Sequence, residues 1–256
     1  MRPGRVTYCS DVQRFDGQRF GDNATAYRFV ERACHERVGE RERARSAGVD
    51  GKAAPLSIVL VCHENRGLTA HIEDVTRRLG KAGYLAVAVD LVSKQGGTSA
   101  VPDPESIPGL LGTLSSERVT DDFAAALAFV KKQPATRADR VGMTGFCFGG
   151  GATWKVALAL PEIRAAVPYY GPPPPEADVA KVKANVLAIY AGKDTRINHK
   201  AGYVEAALKK TGKPYKVITY PEVDHAFHND TGKRYEEKAA TQAWAETIAW
   251  FAKYLA

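Results

Sequence analysis

The sequence has few cysteines and no long apolar run, and both shortages limit what the protein can be. Its four cysteines, Cys9, Cys34, Cys62 and Cys147, are widely and irregularly spaced and include no C-x-x-C pair. That spacing excludes a zinc-ligand pattern and is not typical of a disulfide framework, so it favours a reducing compartment. The N-terminus has no apolar signal-peptide core, and no segment is long enough and apolar enough to span a bilayer. We therefore expect a cytoplasmic protein.

The positive charge of the chain is not concentrated in the way that nucleic-acid binding requires. Of the net charge of +7, residues 1–55 contribute +3 (11 Lys and Arg against 8 Asp and Glu), which leaves +4 for the rest of the chain. No helix-turn-helix, zinc-finger or RNP-type pattern accompanies this spread charge. We therefore expect neither a nucleic-acid partner nor a membrane partner.

From residue 55 onward the sequence alternates between strand and helix patterns. A chain of 256 residues, 45% of them hydrophobic, can bury one large core. The apolar, β-branched run 57–62 is typical of a strand that is buried on both faces of a parallel sheet. Further strands are predicted at 84–89, 140–144, 165–170, 186–191 and 215–220, and helices at 69–82, 117–132, 198–211 and 234–255. The pattern predicts an α/β fold with a mostly parallel central sheet and helices on both faces.

Two connecting features carry more specific predictions. Thr69 stands where a helix N-cap is expected, because it precedes the first periodic residues of the helix at 69–82. The connection 93–116 contains a Gly-Gly pair and three prolines and is unusually long. Its length predicts the wall or lid of a site.

The first 52 residues are rich in arginine and give the weakest structural pattern. Tyr27, Val30, Cys34 and Val38 recur at helical spacing, which predicts a weakly amphipathic helix. Residues 5–9 could form an edge strand, and residues 50–53 are typical of a turn or linker. We therefore expect an Arg-rich N-terminal segment, residues 1–52, followed by one α/β domain, residues 53–256.

The motif with the clearest chemistry is the glycine-rich segment 145–151, Gly-Phe-Cys-Phe-Gly-Gly-Gly. It follows an apolar strand and precedes a predicted helix, which is the setting of a nucleophile elbow. The pattern is G-x-C-x-G, with Cys147 where many hydrolases carry serine. A thiol at the start of a helix is expected to ionise more readily than a free cysteine. The alternative is that Cys147 is a small buried hydrophobic residue in an ordinary glycine-rich turn.

A nucleophilic thiol needs a base and a group that orients the base, and two later strands are followed by suitable residues. Asp194 follows the strand at 186–191, and His225 follows the strand at 215–220. The order nucleophile, acid, histidine is that of the α/β hydrolases. Asp194 could instead only cap the following helix, and Asp224 could instead orient His225. We favour Asp194, because adjacent side chains in an extended segment point in opposite directions.

Two metal interpretations of these motifs are weaker. Asp224, His228 and Asp230 stand near His225, but their spacing does not complete a metal site, and we expect none. The segment that begins at His63 starts like a zinc-peptidase helix, yet Gly67 occupies the place of its second histidine. The same segment follows the strand at 57–62, where an oxyanion hole is expected. The predicted donors are the backbone N–H groups of Phe148 and Asn65.

Four motifs in order make the chain resemble the dienelactone hydrolase family, carboxymethylenebutenolidase-like members of the α/β-hydrolase superfamily. They are the cysteine elbow, the His-Glu-Asn-Arg-Gly-Leu segment 63–68, Ala-Gly-Lys-Asp ending at Asp194, and the Asp-His-Ala-Phe segment that contains His225. The resemblance extends from about residue 55 to the C-terminus. It implies an α/β-hydrolase fold, a Cys147-His225-Asp194 triad, and a role for Glu64 in supporting the resting nucleophile.

The resemblance implies a hydrolase that cleaves an ester or lactone through a thioester intermediate, without a cofactor. Two features differ from the family pattern: Asn229 stands where members that act on dienelactone carry an arginine, and residues 93–116 contain no arginine. The expected substrate is therefore a small ester or lactone, not necessarily dienelactone, and the protein is expected to be a monomer or homodimer. The family also usually opens with a strand hairpin, a pattern that residues 1–52 do not show. The alternatives are a redox-responsive thiol and a ligand-binding protein without turnover.

Overall fold

The computed structural model of the chain describes residues 13–14, 29–32, 55–133 and 136–256. Within these residues one eight-stranded sheet has the order β1-β2-β4-β3-β5-β6-β7-β8. Strands β3 to β8 pair with one another in parallel, whereas β1 pairs antiparallel with β2, and β2 pairs antiparallel with β4. The strands are β1 (Gln13–Arg14), β2 (Phe29–Arg32), β3 (Leu56–Cys62), β4 (Leu85–Val89), β5 (Thr136–Phe146), β6 (Ile163–Tyr169), β7 (Asn185–Ala191) and β8 (Tyr215–Tyr220).

Helices connect the parallel strands, as the alternating pattern predicts. In chain order they are α1 (Ala70–Lys81), α2 (Ile107–Gly112), α3 (Ser116–Val130), α4 (Phe148–Ala159), α5 (Glu176–Val179), α6 (Thr195–Ala201), α7 (Val204–Lys210) and α8 (Glu237–Tyr254). Among these helices, none combines the length and apolar character needed to cross a lipid bilayer. The α/β fold with a mostly parallel sheet is confirmed.

The central part of the sheet is buried on both faces because its strands are apolar at most positions. In β3, Ile58 and Leu60 contact the core on one side, which includes Phe123 of α3. Val59 and Val61 contact the core on the other side, which includes Ile72 of α1. This alternation follows from the two-residue period of a strand. The sequence pattern of β3 therefore correctly predicts a central strand, because a strand with one face exposed to solvent would alternate between apolar and polar residues.

The structure corrects several local predictions. Thr69 is the N-cap residue of α1, as predicted, but its side chain makes no capping hydrogen bond. The helix predicted at 198–211 is two helices, α6 and α7, separated at Gly202 and Tyr203. The connection 93–116 is not a plain loop, because it contains α2 and the short 3-10 turns Ser93–Gln95, Thr98–Ala100 and Pro104–Ser106.

The helix prediction for the N-terminal segment is wrong at four of its residues. Phe29–Arg32 is strand β2, which pairs with β4 through Phe29 and Val89 at one end and Arg32 and Ala86 at the other. An antiparallel pair with β1 completes that edge of the sheet, so this part of the chain has the two strands that the sequence pattern did not show. Tertiary pairing overrides a weak helical period of this kind. The predicted strand at 5–9, the rest of the helix and the turn at 50–53 lie outside the described residues, and the domain boundary at 52/53 stays a prediction.

Candidate active site

A cavity of about 620 Å³ lies at the carboxyl ends of the parallel strands. This is where ligands bind in open α/β sheets. The described residues around it come from the segments that follow β3, β5, β7 and β8, and no residue of 93–116 lines this cavity. The lining residues are Glu64, Asn65, Arg66, Cys147, Arg196, His225, Ala226, Asn229, Gly232, Lys233 and Arg234.

Cys147 stands on a sharp turn between β5 and α4. Its φ of 57° and ψ of −113° are unusual for a residue with a side chain, and such backbone conformations cost on the order of 1–3 kcal/mol. The two flanking glycines make the turn possible: a Cβ on Gly145 would lie 2.2 Å from the carbonyl oxygen of Gly149, and one on Gly149 would lie 2.4 Å from that of Cys62. The strand-turn-helix geometry predicted for this motif is therefore present.

His225 and Asp194 meet across the ends of two neighbouring strands. His225 Nδ1 is hydrogen-bonded to Asp194 Oδ2, and the other oxygen of this 7%-exposed carboxylate accepts from the backbone N–H of Ile197 at 3.2 Å. Asp194 therefore both orients the histidine and caps α6. Because Nδ1 carries the proton in the bond to the carboxylate, Nε2 is the basic nitrogen. Nε2 is buried and has no hydrogen-bond partner among the described residues.

The other acid considered for this role does not lie against the histidine in the described part of the chain. Asp224 is exposed, while its backbone carbonyl accepts from the N–H of Phe227 at 3.2 Å. Asp230 contacts His71 and Arg78 of α1 instead. No group of three or more His, Cys, Asp and Glu side chains among the described residues is arranged to hold a metal ion.

The environment of the Cys147 sulfur contradicts the expectation that this thiol ionises easily. Burial raises its pKa above the ordinary value, and the negative charge of Glu64 raises it further. The backbone N–H of Phe148, the charge of Arg196 and the backbone N–H of Asn65 act in the opposite direction. Burial and the carboxylate of Glu64, which lies in a different segment of the chain, thus raise the pKa more than the start of the helix lowers it. The N–H groups predicted as oxyanion donors, those of Phe148 and Asn65, are thus among the groups that act on the sulfur.

Glu64 is held in place by another residue that lines the cavity, Asn229. Its Oε2 accepts a hydrogen bond from Asn229 Nδ2 at 2.6 Å, while Oε1 is buried without a hydrogen-bond partner among the described residues. The side-chain amide of Asn229 therefore contacts Glu64 directly. Tyr170 is a further buried neighbour, since burial and then the charge of Glu64 raise the pKa of its hydroxyl.

Tyr170 and Arg196 are site residues that the sequence analysis missed. The Tyr170 ring lies 5.0 Å from the His225 ring, and its φ of 35° turns it out of the line of β6. Its position directly after a strand of the sheet was the only available signal. Arg196 follows Asp194 by two residues, but nothing in that spacing shows that its charge reaches Cys147.

We expect Glu64→Gln to lower the pKa of the Cys147 thiol, because the substitution removes the carboxylate charge that raises it. The check is the rate of iodoacetamide alkylation of Cys147 as a function of pH. Glu105→Gln is the matched control, since Glu105 is exposed to solvent and pairs with Arg66 at 2.6 Å. An unchanged alkylation profile in Glu64→Gln would contradict the assigned role of this charge.

His228 lies beneath the segment that carries His225, among aromatic side chains. Its ring centroid is 5.1 Å from that of Phe146, 5.2 Å from Tyr169 and 5.8 Å from Trp244. Burial lowers its pKa from 6.5 to about 3, with further lowering by His71 and Arg78 and an opposing effect of Asp230. The folded protein therefore keeps this imidazole neutral.

Because the pKa of His228 is lowered by burial, we expect the free energy of unfolding to decrease in acid. An unfolded chain binds the proton near pH 6.5 and the folded chain only near pH 3, so stability is complete above 6.5 and decreases as the pH falls towards 3. The slope is about 1.4 kcal/mol per pH unit, or roughly 2 kcal/mol at pH 5. We expect His228→Phe to remove most of this loss, measured by thermal unfolding at pH 7 and pH 5. The exposed His199→Gln is the control, and an equal acid response in His228→Phe and the parent protein would refute the assignment.

Comparison with known proteins agrees with this architecture. The sequence model of the "Dienelactone hydrolase family" matches residues 44–255. A protein of Methylorubrum extorquens, provisionally named a carboxymethylenebutenolidase, is 34% identical over 215 residues, 79% of this chain and 74% of that protein. A provisionally named carboxymethylenebutenolidase of Escherichia coli K12 is 30% identical over 246 residues, 91% of this chain and 84% of that protein. A crystal structure from Klebsiella pneumoniae, provisionally described as a dienelactone hydrolase, has a TM-score of 0.76 at 29% identity and covers 91% of this chain and 95% of its own.

Proposed function

This chain belongs to the dienelactone hydrolase family, and we propose that it hydrolyses a small ester or lactone through a thioester formed on Cys147. One observation carries the proposal. A cysteine on a strained elbow opens into the same cavity as a histidine whose Nδ1 is bonded to a buried carboxylate and whose Nε2 is unpartnered among the described residues. This is the arrangement of nucleophile, base and orienting acid that acyl transfer requires.

In the proposed first half-reaction, His225 Nε2 takes the proton of the Cys147 thiol. The sulfur attacks the carbonyl carbon, and the resulting oxyanion accepts hydrogen bonds from the N–H groups of Phe148 and Asn65. Each such donor contributes about 3 kcal/mol to stabilising the transition state. The tetrahedral intermediate collapses to a thioester as His225 returns the proton to the departing alkoxide oxygen.

In the second half-reaction, water replaces the alcohol. His225 accepts a proton from the water while its oxygen attacks the thioester carbon, with the same two donors holding the oxyanion. The carbon–sulfur bond then breaks, the carboxylic acid is released, and the sulfur regains its proton from His225. Esters and lactones are favoured over amides, because a thiolate leaves the tetrahedral intermediate more readily than an unprotonated amine does.

The raised pKa of the thiol bears on the alternative of a redox sensor. Oxidation of cysteine follows the fraction of thiolate and its exposure to solvent. Burial and Glu64 keep the resting Cys147 protonated. A protonated resting thiol that is activated by a neighbouring base suits hydrolysis better than peroxide sensing.

Positive charge around the cavity favours a substrate with an anionic group. Arg196, Lys233 and Arg234 line the cavity and make no ion pair with a carboxylate of the described residues, whereas Arg66 pairs with Glu105. Of these, Arg196 is close enough for its charge to act on the Cys147 sulfur. A carboxylate on the acyl part of the substrate would therefore meet a guanidinium near the reacting carbon.

We expect Arg196→Gln to raise KM for an ester with a carboxylate on its acyl group by about tenfold and to change KM for the neutral analogue little. The measurement compares p-nitrophenyl esters of succinic acid and of butyric acid. Lys193→Gln is the control, because Lys193 lies on the same segment but pairs with Glu222 at 3.6 Å and does not line the cavity. An equal change for both esters would show that Arg196 does not bind the anionic group.

The proposed function is tested by turnover of short-chain p-nitrophenyl esters and a panel of lactones, with the purified full chain under reducing conditions. Hydrolysis that saturates with substrate supports the proposal. A folded protein that turns over no ester and no lactone, and forms no adduct with either, would refute it and favour the ligand-binding alternative.

A further inference from the structure

The long connection between β4 and α3 lies behind the cavity without lining it. It begins directly after β4 at Asp90, and the side chain of Asp90 is completely buried. A buried carboxylate is costly unless hydrogen bonds compensate it. Asp90 Oδ1 accepts from the N–H of Val92 at 3.1 Å and from Thr98 Oγ1 at 2.9 Å, and Oδ2 accepts from the N–H of Thr98 at 2.7 Å. Asp90 therefore fixes Thr98 through both its backbone and its hydroxyl.

The Thr98 hydroxyl continues from Asp90 to the segment that carries Asn65. Having donated its hydrogen to Asp90, Oγ1 accepts from the backbone N–H of Leu68 at 2.8 Å. The two segments are in direct contact at this point, because a Cβ on Gly67 would lie 2.3 Å from Thr98 Oγ1. Gly67 has a φ of +78°, so it closes a turn in which its own N–H donates to the carbonyl of Glu64 at 3.3 Å. Asn65 is inside this turn.

The other end of the turn is fixed by His63, which is also completely buried. Its Nε2 accepts from the N–H of Leu91 at 3.1 Å, since an amide can only donate. Nδ1 must then carry the ring proton, and it donates to the carbonyl of Glu64 at 2.6 Å. The segment after β4 thus holds the turn twice, through Leu91 at its start and through Thr98 at its end.

We propose that Thr98 is a positioning residue whose hydroxyl, fixed by Asp90, holds the turn at 64–67 so that the N–H of Asn65 points at the reacting centre. This inference rests on the proposed function, in which that N–H is one of two oxyanion donors. An oxyanion donor is effective only within a narrow range of distances from the developing charge. Thr98 touches neither the thiol nor the cavity, so its effect passes entirely through the backbone of the turn.

The variants that test this are Thr98→Val, which removes the hydroxyl at nearly constant shape, and Thr98→Ser, which retains it. We expect kcat for p-nitrophenyl butyrate to fall ten- to a hundredfold in Thr98→Val with KM changed less than about threefold. Thr98→Ser should keep kcat within about threefold of the parent. Thr113→Val is the matched control, because the Thr113 hydroxyl bonds only within its own helix end, to the carbonyl of Leu110 at 2.7 Å.

A second readout does not depend on turnover. The N–H of Asn65 helps to lower the pKa of the Cys147 thiol, so a turn that loosens in Thr98→Val should shift the pH profile of Cys147 alkylation to higher pH, and Thr98→Ser should not. If Thr98→Val does not fold, as judged by thermal unfolding, Thr98→Ala supplies the same comparison, since water can then reach the Leu68 N–H.

The inference is overturned if Thr98→Val retains the kcat and the alkylation profile of the parent. It is also overturned if Thr98→Ser loses activity as Thr98→Val does, because the shape of the side chain would then matter and not its hydroxyl. A parent protein without esterase turnover would defeat the proposed function alone. The alkylation profiles of the Thr98 variants would still decide whether the hydroxyl positions Asn65.

Discussion

Replacing Cys147 with alanine is expected to lower kcat/KM for an ester substrate by about a million-fold, as removal of the nucleophile does in hydrolases with a triad. The sulfur is the atom to which the acyl group is transferred, and no serine, threonine or second cysteine among the described residues lines the cavity. The measurement is steady-state hydrolysis of p-nitrophenyl butyrate, corrected for the spontaneous rate. Residual activity should be that of a site which binds the ester and holds its oxyanion without forming a covalent bond.

Cys62→Ala is the matched control for this experiment. Cys62 is also a free cysteine, but it is fully buried at the end of β3 and does not line the cavity. It should therefore retain the kcat of the parent. If Cys147→Ala kept more than about a hundredth of the parent activity, water would have to be attacking the substrate directly and the covalent mechanism would be wrong.

Asp194→Asn is expected to lower kcat by roughly 10,000-fold, because an amide in place of the carboxylate favours the wrong tautomer of the histidine. In the parent protein Asp194 Oδ2 accepts a hydrogen bond from the protonated Nδ1 of His225, which leaves Nε2 free to act as the base. The amide NH₂ group of asparagine would donate to Nδ1 and place the ring proton on Nε2. The substitution keeps the cap of α6, because asparagine is as good an N-cap residue as aspartate.

Two measurements distinguish a loss of activity caused by the wrong histidine tautomer from one caused by a disturbed structure. Thermal unfolding of Asp194→Asn should be close to that of the parent, while kcat for the p-nitrophenyl ester is lost. Asp224→Asn, at the acid next to His225 in sequence but exposed to solvent, should keep its activity. Greater loss in Asp224→Asn than in Asp194→Asn would reassign the orienting acid.

The parts of the fold that the sequence predicted well are those with a strong local cause. The apolar runs at β3 and β7 are too continuous for anything but buried strands. The glycines at positions 145 and 149, on either side of Cys147, indicate a turn in which any larger residue would collide with the backbone. Asp194 and His225 could be placed together because the carboxyl ends of parallel strands share one edge of the sheet.

The properties that the sequence could not predict depend on contacts between distant segments. The pKa of Cys147 is set against the helix N-terminus by burial and by Glu64, and neither can be quantified from the elbow motif. Strand β2 was missed because its partner is β4, whose pairing outweighs a weak helical period. The role proposed for Thr98 depends on a single hydrogen bond, which its hydroxyl accepts from the backbone N–H of Leu68, thirty positions away in sequence.

Trapping of the acyl-enzyme is the measurement that tests the covalent mechanism most directly. The parent protein is mixed with p-nitrophenyl acetate, quenched in acid within the first turnovers, and analysed by intact mass and by peptide mapping. The account predicts one acetyl group per chain, located on Cys147, absent from Cys147→Ala and sensitive to hydroxylamine as a thioester is. Turnover by the parent without any adduct, or an adduct that remains in Cys147→Ala, would contradict it.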